Sequence, residues 1–151
     1  MHPRLTPFLA AILFLRFLAI GSAAEPSSAR LVNVSARVAL GGTAGTPIPG
    51  FVVAGTGQKQ VIVRAAGPAL SAFGVGNALA DPRLGLVSGG SVVASNDNWL
   101  PSDAGAMGGV GAFAFATGSR DAALVLPVAP GPFTAPVTAP EGTSGVVLLE
   151  T

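Results

Sequence analysis

The chain has 151 residues, of which half are apolar and a tenth are charged, and its formal net charge is +1. This composition is too apolar for a disordered chain, while 21 glycines and 13 prolines indicate short strands joined by many turns. No basic excess marks a nucleic-acid-binding surface. There is no cysteine, so disulfides cannot hold the fold and no cysteine can carry a lipid anchor.

The first residues have the order of a secretory signal peptide. His2 and Arg4 precede an apolar run over 7–20, and small residues follow at 21–24. The run is shorter than the ~20 apolar residues of a membrane-spanning helix, and Arg16 interrupts it. We therefore predict a signal peptide over residues 1–24 and one exported domain over residues 25–151, with no membrane span left after cleavage.

The absence of histidine from the mature chain excludes several kinds of active site. His2 is the only histidine and leaves with the signal peptide. Without an imidazole base, a Ser-His-Asp or Cys-His nucleophile cannot be assembled, and a zinc site lacks its usual ligands. The remaining carboxylates show no active-site spacing, so a small secreted hydrolase that works through Asp97 or Asp103 is the minority hypothesis. We predict that the domain is not an enzyme.

The first half of the mature chain reads as strands. Apolar and polar residues alternate from Arg30 to Val38, which is typical of a half-buried strand. Runs over Ile48–Ala54 and Gln60–Ala66, separated by a glycine-containing turn, predict a hairpin. A loop with one helical turn is expected over 69–77. A second, tight hairpin joins 84–87 to 91–94 through Ser88-Gly89-Gly90.

The second half begins with a polar turn and a passage rich in glycine and alanine over 104–111. Three closing strands are predicted at Ala122–Val128, Phe133–Thr138 and Gly145–Glu150. Pro136 implies an edge position or a bulge in the second of them. About eight short strands without a long helix predict an all-β sandwich, of jelly-roll type in one version.

Several runs together resemble a module of uncharacterised function found in surface and extracellular proteins of Verrucomicrobia and related bacteria. The runs that carry the resemblance are Arg30–Arg37, Pro49–Gly55, Val61–Pro68, Phe73–Val75, Leu79–Leu84, Asn96–Trp99, Gly118–Leu124 and Gly142–Glu150. The resemblance implies a secreted, β-rich interaction or structural module. It carries over no catalytic residue.

Two hypotheses concern ligands. Asn96, Asp97 and Asn98 are consecutive oxygen-bearing residues, with Asp103 nearby, and such oxygens suit a weak extracellular calcium site. A turn in which these side chains bond their own backbone is the commoner arrangement. Trp99, the only tryptophan, would stack on a sugar if exposed, whereas a lone tryptophan in a sandwich more often fills the core.

The two arginines in strand-like runs, Arg37 and Arg64, are predicted to be structural, with Asp81, Asp121 or Glu141 as partners. The function that follows is a secreted or cell-surface interaction module, with envelope polysaccharide or a surface protein as partner. The alternatives are a calcium-dependent carbohydrate-binding module and the carboxylate hydrolase.

Overall fold

A computed structural model describes residues 33–41 and 45–151, and the predicted signal peptide lies outside them. None of the described helices is long and apolar enough to cross a membrane. The α-helix α1 covers Ala104–Gly109, and 3-10 turns cover Pro68–Phe73 and Pro101–Asp103. The strands are β1 (Ser35–Leu40), β2 (Gly50–Val53), β3 (Lys59–Ala66), β4 (Arg83–Ser88), β5 (Ser91–Asn96), β6 (Ala122–Val128), β7 (Gly131–Thr134), β8 (Val137–Thr138) and β9 (Gly145–Glu150).

These strands form two antiparallel sheets. The first sheet has the order β1-β9-β3-β6, and the second has the order β2-β7-β4-β5, with β8 also paired to β4. The pairs β4·β5, β3·β6, β2·β7 and β1·β9 are nested in the chain and alternate between the sheets. This is one long hairpin rolled into a sandwich, which is the jelly-roll arrangement. The predicted all-β sandwich of jelly-roll type is confirmed.

The hairpin expected between the second and third strands is wrong. β2 pairs with β7 in the second sheet, whereas β3 pairs with β6 and β9 in the first. Phe51 of β2 stacks on Phe133 of β7, with ring centroids 5.5 Å apart. In a rolled hairpin most sequence neighbours lie in opposite sheets, so the short 54–58 link changes sheet and does not reverse the chain within one sheet.

The second predicted hairpin is present. β4 and β5 pair antiparallel around Gly89 and Gly90, whose φ angles are 58° and 79°. Positive φ at both central residues suits the right-handed twist of the flanking strands, and glycine reaches it without strain. A register shift after Leu86 places a bulge in this pair.

The closing strands match the prediction except around Pro136. β6 and β9 have the predicted bounds, but the run Phe133–Thr138 is divided between β7 and β8. Proline has no N–H for the ladder. Its carbonyl instead accepts a hydrogen bond of 2.9 Å from the backbone N–H of Gly85. The division explains why the described residues form nine strands where about eight were expected.

The first sheet is covered on both faces. Val63 and Ala65 of β3 face the second sheet, while Ile62, Arg64 and Ala66 face the opposite way. On that opposite face lies the covering layer, which we define as the two 3-10 turns, α1 and residues 112–116. Its buried side chains and their partners form a second core of Ala66, Leu70, Trp99, Met107, Phe115 and Ala123. The covered part of this central strand, from Val61 to Ala66, is therefore apolar except for Arg64.

Close packing of the chain against β9 makes Gly145 sensitive to substitution. A Cβ atom at Gly145 would lie 2.7 Å from the backbone N and Cα of Leu79. Leu79 is fully buried, and its N–H donates to the Val146 carbonyl at 2.8 Å, so this backbone cannot move away freely. We expect Gly145→Ala to destabilise the domain by about 1–3 kcal/mol through overpacking.

The measurement is urea unfolding of residues 25–151. Gly76→Ala is the matched control, because its Cβ would meet nothing within 4 Å. Equal unfolding midpoints for the two variants would contradict the close contact between β9 and Leu79.

Candidate functional site

The strongest concentration of buried charge is an ion pair on the face of the first sheet that the covering layer packs against. Arg64 of β3 lies opposite Glu150 of β9 in the strand register, and Arg64 Nη1 is 3.1 Å from Glu150 Oε2. The two side chains are 1% and 9% exposed. Arg64 Nη2 also donates a hydrogen bond of 2.7 Å to the carbonyl of Phe113.

Two aromatic rings complete the surroundings of this guanidinium. Its central carbon lies 4.0 Å from the ring centroid of Phe115 and 4.6 Å from that of Phe113. Burial lowers the pKa of Arg64 below its ordinary value, and the carboxylates of Glu150 and Asp121 act in the opposite direction. Arginine stays protonated in proteins, so the pair is a charged one. The strand register, the carbonyl and the rings together hold the covering layer on the sheet.

Asp121 is the second buried charge, and it organises the backbone around the start of β6. Its Oδ1 accepts hydrogen bonds from the backbone N–H groups of Gly67 at 2.7 Å and Ala69 at 3.1 Å. Its Oδ2 accepts one of 2.7 Å from the Ser119 hydroxyl. The side chain is fully buried, and three donors satisfy it. A carboxylate in this position ties the 3-10 turn at Pro68 to the end of β3 and to β6.

Trp99 belongs to the same network. Its indole Nε1 donates to Ser119 Oγ at 3.1 Å and to the Ala116 carbonyl at 3.3 Å, and its ring meets Phe115 edge to face at 5.8 Å. The residue is 7% exposed. The structure therefore places Trp99 in the second core, where its face packs against protein and is not open for a sugar to stack on.

The residues of the calcium hypothesis lie at the end of β5. Asn96 Oδ1 accepts from the backbone N–H of Ala123 at 3.0 Å, and its Nδ2 donates to the Asn98 carbonyl at 2.9 Å. Asp97 Oδ1 pairs with Arg83 Nε at 3.2 Å, and both side chains are about half exposed. These contacts already use one oxygen of each of Asn96 and Asp97. Calcium binding here would require them to be shared or exchanged.

Asn96, Asp97 and Asn98 line one shallow depression of ≈ 640 Å³ together with Arg83, Leu84 and Ser95. Asp103 does not line it and instead ends the 3-10 turn that precedes α1. Within 33–41 and 45–151, no three His, Cys, Asp or Glu side chains come together as a metal site would require. Calcium binding at this loop stays a prediction.

The predicted partners of the strand arginines need one correction. Arg64 pairs with Glu150, which was not among the expected partners, while Asp121 is close enough to influence it. Arg37 is exposed on β1. A signal for Glu150 was present in the sequence, because an acidic residue that closes the apolar run 145–149 indicates a buried charge in need of a cation.

Comparison with known proteins adds one structural likeness. No family model matches the chain, and no curated protein is similar to it. A solved structure, the pre-peptidase C-terminal domain of a collagenase from Bacillus anthracis, is similar with a TM-score of 0.49 and 14% sequence identity. The likeness covers 79% of this chain and 89% of that one.

The buried ion pair predicts a strong energetic coupling. Arg64→Met leaves a buried carboxylate without a cation, and Glu150→Leu leaves a buried guanidinium without an anion, so each should destabilise by about 3–5 kcal/mol. The double variant replaces both charges by apolar groups and should be far less destabilised than the sum of the two. Denaturant unfolding of the four proteins in a double-mutant cycle measures the coupling.

Arg83→Met is the control, because it breaks the half-exposed pair with Asp97 and should change stability by less than about 1 kcal/mol. Additive effects of Arg64→Met and Glu150→Leu would show that the two charges do not depend on each other.

The Asp121 network predicts a spectroscopic change as well as a loss of stability. Asp121→Ala leaves the buried N–H of Gly67 without its acceptor, at a cost of about 1–3 kcal/mol, and also removes the acceptor of the partly buried Ala69 N–H and Ser119 hydroxyl. Since Trp99 is the only tryptophan and bonds Ser119, its emission should shift to longer wavelength. Asp81→Ala, which removes only an ion pair with the exposed Arg120, should leave stability and emission nearly unchanged.

Proposed function

We propose that the chain is an exported, non-catalytic module of the cell surface or extracellular space, which acts by contacting a partner through a rigid β-sandwich. The observation that supports this proposal is that the buried polar side chains bond to other groups within the fold. Arg64 and Glu150 pair with each other, and Asp121 bonds two backbone groups and Ser119. These charged side chains, which a catalytic site would use, instead hold the two sheets and the covering layer together.

The resemblance to the surface modules of Verrucomicrobia supports the same interpretation. The runs Val61–Pro68, Asn96–Trp99 and Gly118–Leu124 that carry it contain Arg64, Asn96, Trp99, Ser119 and Asp121. These residues bond to one another or to backbone in the described structure. Related modules that keep one framework and bind different partners would share the residues that hold this framework together.

Two of the carboxylates outside the buried network, Asp81 and Asp97, are engaged in ion pairs. A glycosidase needs two carboxyl groups facing each other across a substrate, about 5–9.5 Å apart. Asp97 pairs with Arg83, and Asp81 pairs with Arg120, so each of these is already matched by an arginine. The hydrolase therefore stays the weaker alternative.

A surface suited to binding lies on the outer face of the second sheet. Four cross-strand pairs form it, namely Gly50 with Thr134, Val52 with Pro132, Gly85 with Ser95 and Val87 with Val92. Val52 and Val92 are 73% and 69% exposed. These eight positions carry no charge, and the Arg83 and Asp97 pair lies at one end. Contiguous exposed apolar patches on a protein surface often mark the sites at which another molecule binds.

Affinity capture tests the proposal. Residues 25–151 are immobilised and exposed to envelope and secreted fractions with calcium or with a chelator, and retained polysaccharide and protein are identified. We expect retention that Val52→Thr with Val92→Thr reduces several-fold, because the two changes make the face polar without altering side-chain shape. Val34→Thr is the matched control, an exposed valine beside the first sheet.

The outcomes separate the alternatives. Loss of retention in chelator, restored by calcium and abolished by Asp97→Ala, would favour the calcium-dependent carbohydrate-binding module. Release of soluble sugar or peptide from the fractions would favour the hydrolase. Absence of any retained component under both conditions would contradict an interaction module.

A further inference from the structure

One turn of the chain holds all of its lysine and glutamine. The sequence has a single lysine, Lys59, and two glutamines, Gln58 and Gln60, and the three residues are consecutive. Lysine is among the commonest residues of globular proteins, whereas here arginine supplies all the other Lys and Arg positions. The one side-chain amine of the protein therefore stands directly between its two glutamine carboxamides.

The turn, which we define as residues 54–60, is accessible to a large molecule. It joins β2 to β3, and every one of its residues is exposed. In the described chain Gln58, Lys59 and Gln60 make no side-chain hydrogen bond, and Lys59 forms no ion pair. No backbone hydrogen bond from a loop, turn or cap involves residues 54–58. Such a segment can bend locally while the sandwich stays folded.

A carboxamide and an amine in accessible positions can be joined by acyl transfer. A thiolate attacks the carbon of the glutamine carboxamide and releases ammonia, and the lysine amine then displaces the thiolate from the thioester. One carboxamide and one amine thus give one secondary amide and one ammonia, with no oxidation or reduction. This chain has no cysteine, so the thiolate belongs to a separate enzyme.

We propose that the turn is a covalent attachment site, at which an extracellular cysteine acyltransferase joins Gln58 or Gln60 of one copy of this chain to Lys59 of a second copy. Donor and acceptor occupy the same turn, so a second copy supplies the matching group. Lys59 and Gln60 are successive residues of β3, and successive side chains of a strand point to opposite faces of the sheet. These two side chains therefore do not meet within one chain. The bond links modules to one another whatever partner the outer face of the second sheet binds.

The test combines residues 25–151 with a calcium-independent bacterial transglutaminase as the acyltransferase. With fluorescent cadaverine as a competing amine, we expect label at Gln58 and Gln60, located by tandem mass spectrometry. Without cadaverine, we expect covalent dimers and larger species on a denaturing gel. An unlabelled native chain would overturn the proposal.

Two variants assign the groups that react. Lys59→Arg should keep the cadaverine label and lose the covalent dimers, because the charged guanidinium is not a nucleophile. Gln58→Glu with Gln60→Glu removes the ammonia leaving group and should lose both label and dimers. Each variant should unfold at the unmodified midpoint, since the side chains are exposed and unpaired. Dimers that persist in Lys59→Arg would contradict the assignment of the acceptor.

A second measurement, on the protein recovered from its own cells, tests whether the bond forms there. Trypsin cuts after Lys59 when the amine is free and separates residues 38–59 from 60–64, whereas an isopeptide bond at Lys59 blocks this cut. We expect an uncut peptide 38–64 that carries residues 38–59 or 60–64 of a second copy as a branch. Complete cleavage after Lys59 with both glutamines unmodified would refute the attachment site, and a branch from a different protein would refute the second copy as partner.

Discussion

The fold depends on accommodating one charge, the guanidinium of Arg64, in the part of β3 that is covered on both faces. Transfer of an unpaired ion into such an environment is prohibitive, so everything around Arg64 has to compensate for it. Glu150 of β9 supplies the counter-charge, the Phe113 carbonyl accepts a hydrogen bond, and the rings of Phe113 and Phe115 contact the flat faces of the guanidinium. The first partner belongs to the sheet and the others to the covering layer, so the same side chain fixes the third layer of the molecule.

A second buried charge extends this arrangement along the chain. Asp121 binds the backbone that leaves β3 and the hydroxyl of Ser119, which in turn accepts from the indole of Trp99. The covering layer is therefore attached at Arg64 and just past the end of β3 at Gly67 by groups that are costly to leave unmatched. Such a network rigidifies a scaffold. The outer face of the second sheet, where we propose that a partner binds, takes no part in this network.

Structural features that depend on residues close together in the chain could be predicted from the sequence. The bounds of β6 and β9 follow from apolar runs that end at turn residues, and the β4–β5 hairpin follows from Gly89 and Gly90, which reach positive φ without strain. The partner of β2 was not predictable in this way, because a strand's alternation specifies which residues face inward and not which strand lies alongside. Likewise the choice of Glu150 as the partner of Arg64, with Asp81, Asp121 and Glu141 also in the chain, depends on the register of β3 with β9, which joins residues 86 positions apart.

The sequence by itself determined the fold class: a strand-rich chain without cysteine, whose one histidine, His2, lies in the predicted signal peptide. It also determined where most strands begin and end, since turn chemistry and alternation act over a few residues. Only the tertiary structure decided what the polar motif residues do. Trp99 and Asn96 look equally available in the sequence, yet one fills a core and the other caps the N–H of Ala123. Burial is a property of the packed layers, and it is burial that makes a polar side chain structural.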